Sequence, residues 1–250
     1  MSEPSITSHA PDRADDLRSR LDGLVDRVNT ATANAGRAPG SVKLLPVTKF
    51  FPASDVEILY DLGRREFGES REQEASGKVA ELTASGRDGI EWHMIGRLQR
   101  NKARSVAKWA HTVHSVDSER LANALDRGAS EARAVGERTA PLRVLLQVSL
   151  DADPTRGGVA PDEMLALADL VEKVESLTLA GLMAIPPLDT TPEAAFAKLA
   201  KLHASLLSQH ADATELSAGM SGDLEIAVAH GSTCVRVGTA LMGGRPITSP

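Results

Sequence analysis

Short apolar runs alternate with longer amphipathic stretches along most of the chain. Leu17, Leu21, Leu24 and Val28 recur at helical spacing, which predicts an N-terminal helix over residues 14–35. The apolar runs that follow are short and bounded by turn residues, as buried strands are. They predict strands at residues 42–48, 66–68, 91–96, 112–116, 142–150, 177–184, 215–218 and 233–237. The amphipathic stretches between them predict helices at residues 54–64, 69–85, 102–109, 118–135, 162–174, 191–210 and 222–229.

The repeated strand-then-helix unit predicts the fold class, which is α/β with a parallel sheet. Eight such units and a length of 250 residues favour a closed (β/α)8 TIM-type barrel over an open sheet. No change of composition marks a second domain, so we expect a single barrel over residues 14–245, including the extra N-terminal helix. Residues 1–13 are predicted to form a flexible N-terminal tail, and residues 246–250 a C-terminal tail. Pro46 lacks an N–H group, which argues against a fully regular first strand.

Composition and charge exclude several classes of function. Aromatic residues make up only 3% of the chain, so the core consists of aliphatic residues, as in helices packed on parallel strands. The net charge of −6 argues against binding to nucleic acids or anionic membranes. Cys234 is the single cysteine, no apolar run is long enough to span a membrane, and residues 1–14 lack the apolar region of a signal peptide. We therefore predict a cytoplasmic protein.

Two predicted strands carry a cation next to apolar residues. Lys49 ends the apolar run of the first strand, and Arg236 lies between two valines of the last. A lysine in a partly desolvated site beside another cation has a lowered pKa and can condense with an aldehyde, although an exposed lysine beyond a strand is an equally simple interpretation. Arg236 requires an acceptor, which either another side chain or a ligand provides.

Small residues that follow the last two strands can hold a phosphate. Gly238 and Thr239 can open a helical turn with free N–H groups, and Ser221 either caps a helix or binds an anion. In barrels of this kind the ligand lies at the carboxyl ends of the strands, and the loops after strands seven and eight often bind phosphate. An amine, a fixed cation and a phosphate-binding loop together predict a phosphorylated carbonyl ligand.

Other polar residues leave alternatives open. His93 is either a core histidine or a catalytic one, and His111 and His114 would face opposite sides of an extended segment, which disfavours a metal site. The basic cluster at residues 97–104 is either a solvated surface or a contact at the mouth of the ligand site. Arg156, in the loop after the fifth strand, can close over that site.

Several motifs together resemble a known family, the pyridoxal phosphate homeostasis proteins. The matching segments are residues 44–49, 67–69, 92–96, 98–99, 101–102, 181–186, 216–221, 231–233 and 236–239, which occur in the same order. The resemblance implies the barrel of the alanine racemase N-terminal domain and pyridoxal 5′-phosphate (PLP), the vitamin B6 cofactor, as ligand. It implies no established enzymatic reaction.

The resemblance also assigns roles to individual residues. Lys49 would form the internal aldimine, a Schiff base, and Arg236 would face the pyridine nitrogen. Ser221, Gly238 and Thr239 would hold the phosphate, while Ser217 and Met220 would line the pocket. The family usually has asparagine where this chain has Ser70, so the contact made there is open.

Three functions fit these residues. The first is a PLP-binding protein that stores, buffers or transfers the cofactor, with PLP-dependent apoenzymes as partners and a monomeric or weakly dimeric state. It is favoured because an arginine at the pyridine nitrogen weakens the electron sink on which PLP catalysis relies. In addition, Tyr60 is the only tyrosine, and we expect no second domain to supply a base. The second function is a PLP-dependent amino-acid racemase or lyase that uses His93 or a partner-chain group as a base. The third is a Schiff-base aldolase acting on a sugar phosphate.

Overall fold

Eight parallel strands form a barrel in the computed structural model, which describes residues 11–151, 153 and 156–244. The strands are β1 (Lys43–Pro46), β2 (Glu66–Glu69), β3 (Glu91–Met94), β4 (Thr112–Val116), β5 (Leu142–Gln147), β6 (Leu177–Met183), β7 (Glu215–Ser217) and β8 (Cys234–Val237). Their order in the sheet is β1-β8-β7-β6-β5-β4-β3-β2. A parallel bridge between Val47 and Gly68 joins the two ends of this order, so the sheet closes. The predicted (β/α)8 barrel is confirmed.

Helices connect the strands and cover the outside of the barrel. They are α1 (Pro11–Asn34), α2 (Ala53–Asp61), α3 (Glu72–Ala84), α4 (Ala103–Trp109), α5 (Glu119–Ala134), α6 (Met164–Glu172), α7 (Pro192–Leu207), α8 (Leu224–Ala229) and α9 (Thr239–Met242). A short 3-10 turn, Arg100–Lys102, precedes α4. No described helix is long and apolar enough to cross a membrane.

The first strand contains Pro46 without losing its pairing to β8. The Lys43 amide donates to the carbonyl of Thr233, just before β8, at 2.8 Å, and the Val47 amide donates to Val237 of β8 at 2.9 Å. Pro46 alternates with them, so the side of its backbone that lacks an N–H group faces β2. There the backbone pairing among the described residues consists of the Val47–Gly68 bridge and the hydrogen bond from the Thr48 amide to the Gly68 carbonyl, at 3.0 Å. The proline therefore lies at the junction of β1 and β2, where its missing N–H group costs no ladder hydrogen bond to β8.

Helix α1 packs across the junction between the first and last strands. Leu17, Leu21 and Leu24 share one apolar cluster with Val235 and Val237 of β8. This burial explains why the helical spacing of the leucines is visible in the sequence. The helix begins at Pro11, so residues 11–13 of the predicted tail are helical, while residues 1–10 and 246–250 lie outside the described part of the chain.

Element boundaries differ from the predictions mainly at strand ends. The helix predicted from residue 69 begins at Glu72, because Glu69 continues β2 and pairs with Met94 of β3. The third and fifth strands end at Met94 and Gln147, before the predicted residues 96 and 150. The residues after these ends form loops at the carboxyl edge of the barrel, where the candidate site lies.

Candidate functional site

A cavity of about 460 Å³ opens at the carboxyl ends of the strands, where a parallel barrel places its ligand site. It draws on the loops that follow most of the strands. The lining residues are Val47, Lys49, Phe50, Phe51, Ser70, Ile95, Gly96, Arg97, Gln147, Arg156, Ile185, Met220, Ser221, Gly222, Arg236, Gly238, Thr239 and Gly243.

Lys49 enters the cavity from a turn that directly follows β1. The next residue, Phe50, has a φ of 70°, a left-handed conformation that is uncommon for a residue other than glycine. Its backbone N–H donates a 2.5 Å hydrogen bond to Glu74 Oε1, which holds the turn in this conformation. The Lys49 ammonium is half-buried and lies 5.7 Å from the centre of the Phe50 ring.

A buried ionic network supports this turn from below. Lys78 Nζ donates to the Thr48 carbonyl at 2.8 Å, to Glu69 Oε1 at 2.8 Å and to Glu74 Oε1 at 2.9 Å. The Thr48 hydroxyl also donates to Glu69 Oε1, at 2.7 Å. All three ammonium protons of Lys78 are thereby used. Burial raises the pKa of Glu69, although Lys78 opposes that effect.

Arg236 is a buried cation at the floor of the cavity. Its Nη1 donates to Ser217 Oγ at 2.7 Å and its Nη2 to the Ala184 carbonyl at 3.0 Å. None of the ion pairs found among the described residues includes Arg236, so both acceptors are neutral. Desolvation by burial lowers the pKa of its guanidinium. A ligand with an acceptor atom would compensate for that cost.

The loops after β7 and β8 meet on one side of the cavity. Gly219 has a φ of 91°, and a Cβ there would lie 2.6 Å from Ala227, so glycine permits the tight turn that presents Met220 and Ser221. The Ser221 hydroxyl accepts a 3.4 Å hydrogen bond from the Ala240 amide, which links the two loops. Within the described chain, the amides of Ser221 and Gly222 have no hydrogen-bond acceptor.

Seven of the eight residues predicted for the site line this cavity. They are Lys49, Ser70, Met220, Ser221, Arg236, Gly238 and Thr239. Ser70 reaches it because Gly96 lets the loops after β2 and β3 approach each other, and a Cβ on Gly96 would collide with the Ser70 backbone. Ser217 does not line the cavity: it is fully buried beneath Arg236, which uses its hydroxyl as an acceptor.

Other lining residues were missed in the sequence. Gln147 ends the apolar strand β5 as Lys49 follows β1, so the same criterion could have found it. Phe50 could not have been found, because its position depends on a left-handed turn that its sequence does not signal. Arg156, considered as a residue that closes over the site, lies at the rim and donates to Asp151 Oδ2 at 2.9 Å and to the Pro186 carbonyl at 2.6 Å.

His93, His111 and His114 do not line the cavity. His93 Nδ1 and His114 Nε2 are 2.9 Å apart, and His114 Nδ1 is 2.9 Å from Ser217 Oγ. His111 lies instead near Glu91, with Nε2 and Oε2 3.5 Å apart. His111 and His114 therefore contact different groups.

A second, basic cleft of about 1060 Å³ adjoins the cavity and shares Ser70 and Arg97 with it. Most of the basic cluster at residues 97–104 faces this cleft rather than the cavity. The cationic residues that line it are Arg71, Arg97, Arg100, Lys102 and Arg120. The cluster thus lies at the mouth of the candidate site.

Comparison with known proteins identifies the family. Residues 20–246 match the family described as alanine racemase, N-terminal domain. The pyridoxal phosphate homeostasis protein of Mycobacterium tuberculosis is 52% identical over 252 residues, covering 96% of this chain and 97% of that protein. The chain belongs to the pyridoxal phosphate homeostasis protein family. The family member of Corynebacterium glutamicum is 47% identical and covers 92% of this chain and 100% of its own.

Solved structures agree with this family assignment. The structure of PipY from Synechococcus elongatus with PLP bound is 38% identical, has a TM-score of 0.76, and matches 91% of this chain and 100% of its own. An alanine racemase from Clostridium difficile is 17% identical with a TM-score of 0.68, and the match covers 93% of this chain and 60% of the racemase. At that identity the racemase shows the shared barrel alone.

Proposed function

We propose that this family member binds PLP through an imine with Lys49 and holds the cofactor for storage, buffering or transfer in the cytoplasm. One observation carries the proposal. Among the described residues, the cavity combines a lysine amine, a buried arginine without an acidic partner, and the unused amides of Ser221 and Gly222 on the loop after β7. These groups match the aldehyde, the ring nitrogen and the phosphate of PLP respectively.

The size and chemistry of the cavity fit this ligand. A volume of about 460 Å³ lies within the range of small-molecule sites. Imine formation joins Lys49 Nζ to the aldehyde carbon, and the aldehyde oxygen leaves as water. PipY, whose structure contains PLP, matches this chain over the whole barrel. Its likeness supports the choice of PLP over a sugar phosphate, the ligand of a Schiff-base aldolase.

The residues around the cavity favour a holder over a catalyst. None of its lining residues in the described chain is aspartate, glutamate, histidine, tyrosine or cysteine. Lys49 is therefore the one side chain there suited to accept a proton in a racemase or lyase reaction. Tyr60 lies on α2, where its hydroxyl donates to the Asp88 carbonyl at 3.0 Å, and it does not line the cavity.

Arg236 supports the same conclusion. A guanidinium has only N–H donors and meets an unprotonated acceptor. PLP catalysis uses the protonated pyridine ring as an electron sink, for which a carboxylate is the usual partner. With Arg236 at that position the ring nitrogen stays unprotonated and the sink is weak.

Absorbance spectroscopy tests the proposed binding. Purified wild type mixed with PLP should show the visible band of an imine, and borohydride should trap the ligand on Lys49. Lys49→Ala should lack both. Lys201→Ala is the matched control, because Lys201 is an exposed lysine on α7 that does not line the cavity. A wild type that stays colourless with PLP would overturn the proposal.

Hydrogen exchange separates the holder from an enzyme. The PLP-loaded protein is incubated in D₂O with D- and L-amino acids, and exchange at the α-carbon is followed by NMR. We expect exchange no faster than with free PLP. Sustained exchange that is abolished in Lys49→Ala would contradict a purely PLP-holding role and would indicate a racemase or lyase. Transfer is tested separately, by the rate at which a PLP-dependent apoenzyme gains activity from the loaded protein rather than from free PLP.

A further inference from the structure

A line of polar contacts crosses the barrel interior from the cavity floor to the opposite mouth. Arg236 Nη1 donates to Ser217 Oγ at 2.7 Å, and Ser217 Oγ lies 2.9 Å from His114 Nδ1. His114 Nε2 lies 2.9 Å from His93 Nδ1, and His93 Nε2 lies 3.5 Å from Glu66 Oε2. The last contact is long for a hydrogen bond and acts mainly as an electrostatic attraction.

The direction of every hydrogen bond in this line follows from its two ends. Arg236 can only donate, so Ser217 accepts from it. The proton of the Ser217 hydroxyl then needs an acceptor, and among the described residues His114 Nδ1 is the remaining partner within reach. His114 must therefore carry its proton on Nε2 and donate to His93 Nδ1.

The same reasoning shows which ring nitrogen of His93 carries the proton. Because His93 Nδ1 accepts, its proton lies on Nε2, which faces the carboxylate of Glu66. Burial lowers the pKa of His114 well below its ordinary value, as a neutral ring requires. The pKa of Glu66 is lowered to about 2, first by the contact with His93 and also by Lys43, so that end of the line carries a negative charge.

We propose that Ser217, His114 and His93 are positioning residues that link the Glu66 carboxylate to Arg236 and present the guanidinium to the cavity solely as a charged donor. This inference rests on the proposed function, since it specifies how the site addresses the ring nitrogen. In this inference Ser217 acts on the ligand site through Arg236 and does not contact the ligand itself.

The buried charge of Arg236 provides the physical reason for such a line. An isolated buried cation is costly, and neutral groups that are aligned with their negative ends toward it reduce that cost. Ser217 turns its oxygen toward Arg236, and each histidine repeats the same orientation down to Glu66. Guanidinium N–H groups that Ser217 and Ala184 do not use remain for the ligand.

A bound cation at the lower mouth is the competing use of these residues. Glu66, Glu91 and His93 have ligand atoms within 4.8 Å of one another and could hold a metal ion. A metal needs the lone pair of His93 Nε2, which is protonated in the hydrogen-bond direction that Arg236 imposes. Lys43 also donates to Glu66 at 3.0 Å, so its ammonium lies where it would repel a metal cation.

Long-range ¹H–¹⁵N NMR of the ligand-free protein tests the inference directly. The hydrogen-bond geometry predicts that the Nε2 atoms of both His93 and His114 carry a proton and that their Nδ1 atoms accept. A proton on Nδ1 of either ring, a doubly protonated ring, or tautomers that interconvert freely would overturn it. Added Zn²⁺ should leave the His93 signals unchanged, whereas a shift at stoichiometric Zn²⁺ would favour the metal site.

Variants test whether the line acts on Arg236. Ser217→Ala should shift the His114 nitrogens and weaken PLP binding about tenfold, the effect of losing one hydrogen bond to a charged group. Ser232→Ala is the matched control, because Ser232 is equally buried but its hydroxyl donates only to backbone carbonyls. Equal effects of the two variants on PLP binding would reduce Ser217 to a packing role.

A second pair of variants tests the far end of the line. Glu66→Gln should shift the His93 and His114 signals, while Glu225→Gln, in an exposed pair with Arg27, should leave both unchanged. Unchanged His114 signals in Glu66→Gln would contradict the link. The histidine NMR measurements need no ligand, so their outcome is independent of the absorbance test with PLP. A protein that stays colourless with PLP but shows the predicted tautomers would refute PLP binding and leave this inference about the hydrogen-bond line intact.

Discussion

The ammonium of Lys78 lies 2.8 Å from the carboxylate of Glu69, beneath the turn that presents Lys49 to the cavity. Both side chains are almost fully buried, and the same ammonium holds the Thr48 carbonyl and Glu74. The pair therefore connects the end of β1 to α3 at the point where the turn needs support. The left-handed Phe50 is part of the same arrangement, since its amide donates to Glu74.

Loss of Lys78 should destabilise the protein strongly. Lys78→Met leaves Glu69 as a buried carboxylate with the Thr48 hydroxyl as its remaining donor, so we expect the free energy of unfolding to fall by about 3–5 kcal/mol. Urea unfolding monitored by circular dichroism measures it. Lys108→Met is the control, because it breaks an exposed pair with Glu137 and should cost no more than about 1 kcal/mol.

Removing both charges provides the converse test. The double variant Lys78→Met/Glu69→Leu should recover a large part of the lost stability, because no uncompensated charge remains in the interior. It should still bind PLP less tightly than wild type, since the turn before Phe50 has lost its support. A double variant as unstable as Lys78→Met alone would show that the cost arises from packing instead.

Two glycine substitutions should have opposite effects on stability. A Cβ at Gly96 would collide with the backbone of Ser70, so Gly96→Ala should destabilise the barrel and widen the cavity mouth. Gly77 lies inside α3 with nothing within 4 Å of its Cβ position, so Gly77→Ala should raise the free energy of unfolding by about 0.5–1 kcal/mol. Thermal unfolding of both variants, with and without PLP, checks the pair. A stabilised Gly96→Ala variant would contradict the close approach of the two loops.

Cys234 should be unreactive in the native protein. It is buried at the start of β8, and desolvation raises the pKa of its thiol to about 12. Because the thiolate is the reactive form, a thiol reagent at mildly alkaline pH should label the folded protein far more slowly than the urea-unfolded one. Labelling of the native protein at the rate of a free cysteine would show that β8 opens readily.

The pH dependence of stability should contain a contribution from Glu66. Its pKa falls from 4.5 to about 2 in the folded protein, so the stabilisation is fully present above pH 4.5 and is lost as the pH drops toward 2. The difference in unfolding free energy between wild type and Glu66→Gln should therefore shrink over that interval. Glu131→Gln, in an exposed pair with Arg104, should show little such change. A difference for Glu66→Gln that stays constant with pH would contradict the lowered pKa.

Much of the fold and of the cavity follows from rules that sequence patterns obey. The strand periodicity places Arg236 and Val237 on opposite sides of β8, and barrel topology places Lys49 and Thr239 at the same end. The strand periodicity is a local rule, and the shared position of the strand ends follows from the parallel topology. They do not depend on the exact packing of side chains.

The remaining features depend on three-dimensional packing. Ser217 was expected in the cavity lining, but it ends β7 facing the barrel interior, where the size of the Arg236 side chain separates it from the ligand space. The partnership of His93 and His114 joins two strands whose relative register no sequence pattern reveals. The Lys78 network likewise depends on how α3 sits against the end of β1.

The pairing of β1 with β8 also has a consequence for protein synthesis. Its register sets Leu45 opposite Arg236, so residues near β1 and β8, far apart in sequence, meet at the cavity. Contacts between residues so distant in sequence form late, because closing a long loop costs entropy. During synthesis Lys49 leaves the ribosome long before β8 has been made. We therefore expect nascent or truncated chains that lack β8 not to retain PLP, because Arg236 and Thr239 are missing from them.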